Sequence, residues 1–177
     1  LRRRKPDLVI LNYGTNESQF ESLRMDQYEK DTNEAIRRIR EAIPGVSIML
    51  VGPMDRGMRG EGGEIITRPM IPKLIAYQRK IAAESGCAFF DTFTAMGGAG
   101  TVSSWYEARP RLMGGDLTHP TARGAQMVGD LIAGAVMRAY QAYINTPVPA
   151  EQVAAPKAAS LNSDSKIHST SAAPVLK

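Results

Sequence analysis

Residues 7–13 read Asp-Leu-Val-Ile-Leu-Asn-Tyr, an apolar run of strand length. Its hydrophobicity is nearly unbroken rather than alternating, which is the pattern of a central parallel strand buried on both faces. A polar loop, GTNESQFESL, occupies residues 14–23, and apolar side chains then recur at Met25, Tyr28, Ala35, Ile36, Ile39 and Ile43. That spacing predicts an amphipathic helix, stopped by Pro44-Gly45. Val46 to Val51 gives a second buried strand. The stretch after it, GPMDRGMRGEGGE at 52–64, reads as a loop too polar and glycine-rich to pack. A helix is expected from about Pro69 to Ser85 with Gly86 as its stop, then a short third strand at Ala88 to Asp91 and a glycine-rich connection around Met96 to Gly100. Residues 101–120 read as irregular, with one short helix near Ser103 to Ala108. Thr121 is suited to cap a last helix, running to about Ile144 with the apolar spacing of an element that packs on a sheet. Strand and helix thus alternate, which predicts an α/β fold with a parallel sheet covered by helices on both faces.

Composition narrows the function classes. At 177 residues the chain makes one ordinary domain, and 43% hydrophobic with 23% charged residues is the balance of a globular protein. No apolar run approaches the ~20 residues of a bilayer-spanning helix, so no membrane span is expected. The net charge of +4 lies at the ends: Arg2, Arg3, Arg4 and Lys5 at the start, and a surplus of one after residue 144. Between them the body is near neutral, which argues against nucleic acid as a partner. Cys87 is the single cysteine and His119 and His168 are the two histidines, so neither a disulfide framework nor a histidine- or cysteine-rich metal site is expected. No glycine cluster matches a dinucleotide or P-loop phosphate cradle, which weighs against a nucleotide or flavin domain; no cofactor is expected. From Asn145 the composition turns to Ala, Pro, Ser and Lys without aromatics, so residues 1–144 are expected to be the folded domain and 145–177 a disordered tail.

In an open parallel sheet, ligands bind beyond the carboxyl ends of the strands. Two places there carry chemistry. Gly14-Thr15-Asn16-Glu17 follows the first strand directly: Gly14 lets the backbone turn, and an Asn16 amide can aim N–H at an oxygen outside the sheet. A loop asparagine also serves as a simple turn or cap residue. Asp116-Leu117-Thr118-His119-Pro120 precedes the last helix. A carboxylate three residues before a histidine can hold imidazole Nδ1 and leave the other nitrogen to accept a proton from a nucleophile, though D-x-x-H alone is equally a surface ion pair.

The two motifs together resemble the SGNH hydrolases, the GDSL-type esterases. PDLVILNYGTNE (6–17) is similar to that family's third block and GDLTHPTARG (115–124) to its fifth. The resemblance covers about residues 6–144, with Glu17 where the family usually has aspartate. It implies a flavodoxin-like three-layer α/β/α sandwich, with Asn16 as oxyanion donor beside Gly14, His119 as general base and Asp116 as its orienting partner. The family's Gly-Asp-Ser block and second-block glycine are absent. Ser18, Ser22, Ser103 and Ser104 read as solvent or capping residues, so the expectation is a chain whose first strand, first helix and nucleophilic serine lie upstream, and which is inactive alone. The stretch FFDTFTAMGGAGTVSSWYEA (89–108) resembles bacterial cell-envelope members, which implies a periplasmic or secreted setting and an O-acetylated glycan as the ester substrate. Trp105 and Tyr106 would then either stack on a sugar or pack a short helix over the sheet edge. The reading from another class is a noncatalytic glycan- or protein-binding module on a degenerate hydrolase fold. It draws on the missing serine, and is weakened by the joint presence of Asn16, Asp116 and His119.

Overall fold

A computed structural model describes residues 3–146. The apolar runs form β1 (Leu8–Asn12), β2 (Ser47–Val51) and β5 (Ala88–Phe90), which pair in parallel in the order β1-β2-β5. Between β1 and β2 lies α1 (Met25–Ala42), and between β2 and β5 lies α2 (Met70–Ser85), ended as expected by Gly86 at φ +62°. Hydrophobic burial joins these pieces. Tyr28, Ile36 and Ile39 of α1 and Leu74, Ile81 and Ala82 of α2 share one core with Ile48 and Leu50 of β2, and Val9 and Leu11 of β1 pack against it. The chain is therefore α/β with a parallel sheet and connecting helices.

β1 departs from the expectation of a strand buried on both faces. It lies at the sheet edge, and the alternate residues that point away from the α1/α2 core are open, Leu8 at 43% and Ile10 at 51% exposure. Its continuous hydrophobicity thus exceeds what the described residues cover.

The stretch 52–64 corrects the expectation of an unpacked loop. Gly57–Arg59 (β3) and Ile65–Thr67 (β4) form an antiparallel hairpin, and Asp55 is wholly buried, with Val102 N–H donating to its Oδ2 at 2.8 Å. Burial pushes the Asp55 carboxyl above its usual range. The glycines make this packing possible: a Cβ on Gly57 would stand 2.9 Å from Val102 and 3.1 Å from Leu117. The glycine-rich connection falls at residues 97–100, close to its expected place, and the helix expected near Ser103 to Ala108 is present; the helix before the connection is the addition. The connection joins α3 (Thr92–Met96), capped by Asp91, to α4 (Thr101–Glu107). Val102 and Trp105 of α4 build a second core with Met113 and Leu117.

Thr121 caps α5 (Ala122–Asn145), its Oγ1 accepting from Gly124 N–H. α5 packs on α3, yet Gly124 is its one buried residue, and Met137, Tyr140 and Tyr143 are exposed. The expected sheet-packing stripe is thus largely uncovered by the described residues. The first turn is different: a Cβ on Gly124 would meet the Leu112 carbonyl oxygen at 2.0 Å. Gly124→Ala must push α5 away from the segment that carries His119, and the expected cost is about 1–3 kcal/mol. Thermal melting checks this; an unchanged midpoint would show that the contact is not held in solution. The tail expected over 145–177 does not begin at Asn145, which belongs to α5, and residues 147–177 lie outside the described residues. Among the described residues, no helix is long and apolar enough to cross a membrane.

Candidate active site

The chain leaves β1 into a loop whose every turn is bonded. Gly14 has φ +111°, and a Cβ there would crowd Pro53 at 3.1 Å and Gln78 at 3.2 Å, so glycine is required both by conformation and by space. Its N–H donates to Glu17 Oε2 at 3.0 Å, and its carbonyl accepts from Ser18 N–H. Gln78 of α2 donates from Nε2 to the Tyr13 carbonyl at 2.9 Å and to the Tyr28 hydroxyl at 2.7 Å. Ser18 is buried, its hydroxyl donating to the Thr15 carbonyl at 2.6 Å. Asn16 is exposed at the start of a short 3-10 turn (Glu17–Gln19), and among the described residues its side chain caps nothing. Its side chain thus forms no cap bond, while its backbone takes part in the turn, its carbonyl accepting Gln19 N–H at 3.2 Å.

The second motif folds on itself. His119 Nδ1 and Asp116 Oδ2 are 2.6 Å apart, while Asp116 Oδ1 accepts the backbone N–H of Thr118 and of His119, each at 3.0 Å. Those hydrogen bonds, the imidazole first, hold the Asp116 carboxyl down to about 2. The turn between them needs Leu117 at φ +57°, a left-handed conformation uncommon for leucine, which is kept because its side chain is buried in the second core. Gly57 N–H donates to the Leu117 carbonyl at 2.8 Å, and Gly114 N–H to that of His119 at 2.8 Å. The dyad is thus fixed from behind and open in front, with side-chain exposures of 80% for His119 and 54% for Asp116. With the proton on Nδ1 shared toward Asp116, Nε2 presents a lone pair outward.

Arg56, which follows β2, joins the two loops. Its Nη1 donates to the Thr15 carbonyl at 2.6 Å and its Nε to Thr118 Oγ1 at 3.0 Å. The four residues expected at the site thus fall on two loops held by one guanidinium. The reading of 52–64 as unpacked concealed Arg56, although its place after a strand end is the signal that singled out Asn16. Trp105 and Tyr106 belong elsewhere: Trp105 is buried in the second core, Tyr106 packs against it, and Arg111 stacks on the Tyr106 ring at 4.3 Å. Packing, not sugar stacking, is the role their surroundings give them. A cleft of about 430 Å³, lined by Leu11, Tyr13, Glu17, Tyr28 and Gln78 among others, borders the Gly14 loop but is not lined by Asp116 or His119. Among the described residues no serine hydroxyl is hydrogen-bonded to His119; those of Ser18, Ser85 and Ser104 donate to backbone carbonyls nearby.

Comparison with known proteins adds three findings. A family model described as the GDSL-like lipase/acylhydrolase family matches residues 1–127. No curated protein sequence matches. Among solved structures, a peptidoglycan O-acetylesterase superposes with a TM-score of 0.70 at 24% identity, over 77% of this chain and 38% of that one. An acetyl-xylooligosaccharide esterase from Geobacillus stearothermophilus gives 0.53 at 20% identity, over 77% and 60%. The periplasmic domain of a lipopolysaccharide acetyltransferase from Salmonella ser. Paratyphi A gives 0.54 at 14%, over 77% and 59%. These likenesses concern the fold, and the chain spans 38% to 60% of the lengths of those structures.

Proposed function

The chain belongs to the GDSL-like lipase/acylhydrolase family, and from that premise we propose that the complete protein is a serine esterase removing an O-acyl group, chiefly acetyl, from a carbohydrate or cell-wall glycan. The observation that carries the proposal is the 2.6 Å contact between Asp116 and Nδ1 of an otherwise open His119. In the proposed reaction a serine from outside residues 3–146 attacks the ester carbonyl while His119 Nε2 takes its proton. The tetrahedral oxyanion is held by the Asn16 amide; Gly14 contributes the turn rather than its N–H, which Glu17 engages. The imidazolium then protonates the departing sugar oxygen, and water, deprotonated by the same nitrogen, releases the acid. The acetylated-glycan substrate is supported by the resemblance of residues 89–108 to cell-envelope esterases, and the O-acetyl esterases among the structural neighbours fit it.

The test is hydrolysis of p-nitrophenyl acetate and of an O-acetylated glycan by the complete protein. Asn16→Ala is expected to lower kcat by about 10²- to 10³-fold, the usual loss of one oxyanion donor. Residues 1–177 alone are expected to be silent in the same assay, since His119 has no described serine to deprotonate. Activity from that piece would overturn the proposed origin of the nucleophile. A silent complete protein that still retains glycan would favour the binding-module reading.

A further inference from the structure

Building on the esterase reading, we propose that Arg56 is a positioning residue that sets the distance between the Asn16 amide and the His119 imidazole. Each loop is anchored by itself. The Asn16 loop hangs from Gln78 through the Tyr13 carbonyl and from Ser18 through the Thr15 carbonyl. The His119 loop hangs from Gly57 and Gly114 through the carbonyls of Leu117 and His119. What couples one to the other is the Arg56 fork, with Nη1 on the Thr15 carbonyl at 2.6 Å and on Ser18 Oγ at 3.4 Å, and Nε on Thr118 Oγ1 at 3.0 Å. Thr15 is the immediate neighbour of Asn16 and Thr118 that of His119, so the bridge is one residue from each group it serves.

The backbone under this side chain is braced on both flanks. Asp55 before it is wholly buried and bonded to Val102 N–H, the Arg56 carbonyl accepts from Arg68 N–H at 2.8 Å, and Gly57 after it donates to Leu117. The guanidinium itself, half-buried, forms no ion pair within 4 Å among the described residues and hydrogen-bonds only neutral oxygens, while the charges of Arg68 and Asp116 act on it from farther off with opposite signs. Partial desolvation of a cation against neutral acceptors is a poor stability device. Its use here is geometric: a planar fork reaches two loops at a fixed separation, which a lysine ammonium, a single point donor, cannot reproduce.

The experiment is steady-state hydrolysis of p-nitrophenyl acetate by the complete protein. Arg56→Met is expected to lower kcat by about 10- to 100-fold, since a displacement near 1 Å costs up to that much, with KM changed less than about threefold. Arg56→Lys should recover only part of the loss. Thr118→Val, which removes the Nε acceptor together with the Oγ1 donation to the Asp116 carbonyl at 3.1 Å, should lower kcat by about three- to tenfold, and the double variant should be little slower than Arg56→Met, because the bridge is already gone there. The inference is overturned by wild-type kcat in Arg56→Met, by full recovery in Arg56→Lys, or by losses that multiply in the double variant. Should Arg56→Met fail to fold, Thr118→Val decides: wild-type kcat there overturns the bridge. His119→Ala in the same assay separates the two claims. If it remains active the assignment of His119 as general base fails and the bridge has no site to serve, whereas a silent His119→Ala beside an unimpaired Arg56→Met defeats the bridge alone.

Discussion

His119→Ala in the complete protein is expected to reduce kcat on p-nitrophenyl acetate by on the order of 10⁴- to 10⁶-fold, the range seen when a serine nucleophile loses its base. The size follows from the arrangement. A serine hydroxyl at neutral pH is a weak nucleophile, and in the proposed mechanism its proton acceptor is Nε2, because Nδ1 is held by Asp116 at 2.6 Å. No second histidine is available among the described residues to substitute. The same geometry predicts that the loss is purely functional. The His119 side chain is 80% exposed, and the loop is held by its backbone through Gly114 and Gly57, so the melting temperature and far-UV dichroism should be unchanged. KM for a small ester should move little. A folded His119→Ala enzyme keeping more than about a tenth of wild-type kcat would remove the general base from the mechanism.

The sequence disclosed the elements whose burial is monotonous. DLVILNY and VSIMLV are strands because their apolar residues run together over strand length, and the stripe from Met25 to Ile43 is a helix because its apolar side chains fall on one face. The dyad was legible for a related reason: Asp116 and His119 interact within four residues of chain, so their contact is local. What escaped was non-local. The hairpin β3/β4 is hidden by the Gly-, Arg- and Glu-rich stretch that leads into and across its turn, whose composition signals solvent, and it packs through Ile65 on the second core and through Gly57, which leaves room for Val102 and Leu117 from distant segments. The buried Asp55 accepts from an N–H 47 residues away, and Arg56 meets partners 41 and 62 residues away. No periodicity within one segment encodes such contacts. The reverse error occurred on β1 and α5, where apolar spacing promised burial that the described residues do not supply at Leu8, Ile10, Met137 and Tyr140.

Asp116→Asn is the sharpest separation of shape from electrostatics at this site. An asparagine Oδ1 can still accept the N–H groups of Thr118 and His119, so the turn through Leu117 keeps its form. Its amide, however, faces His119 Nδ1 with a donor where a carboxylate offered an acceptor. The imidazole proton then moves to Nε2, the nitrogen that must take the serine proton, and kcat is expected to fall by on the order of 10³- to 10⁴-fold with little change in fold. The pH dependence carries its own sign. The native carboxyl is held down to about 2 by His119 and two backbone N–H groups, below its ordinary value of 3.8. The charged form therefore stabilises the native state above pH ~4, and that contribution is lost as pH falls from there toward 2. Accordingly, any stability advantage of wild type over Asp116→Asn should narrow across that window and stay constant above it, and it should be small because the carboxylate is 54% exposed. Asp116 also remains ionised throughout the range in which esters are assayed, so its titration cannot produce an acid limb in the kcat profile above pH ~4. An Asp116→Asn enzyme within threefold of wild type, melting normally, would mean that the imidazole is oriented by some other group and that Asp116 serves the loop alone.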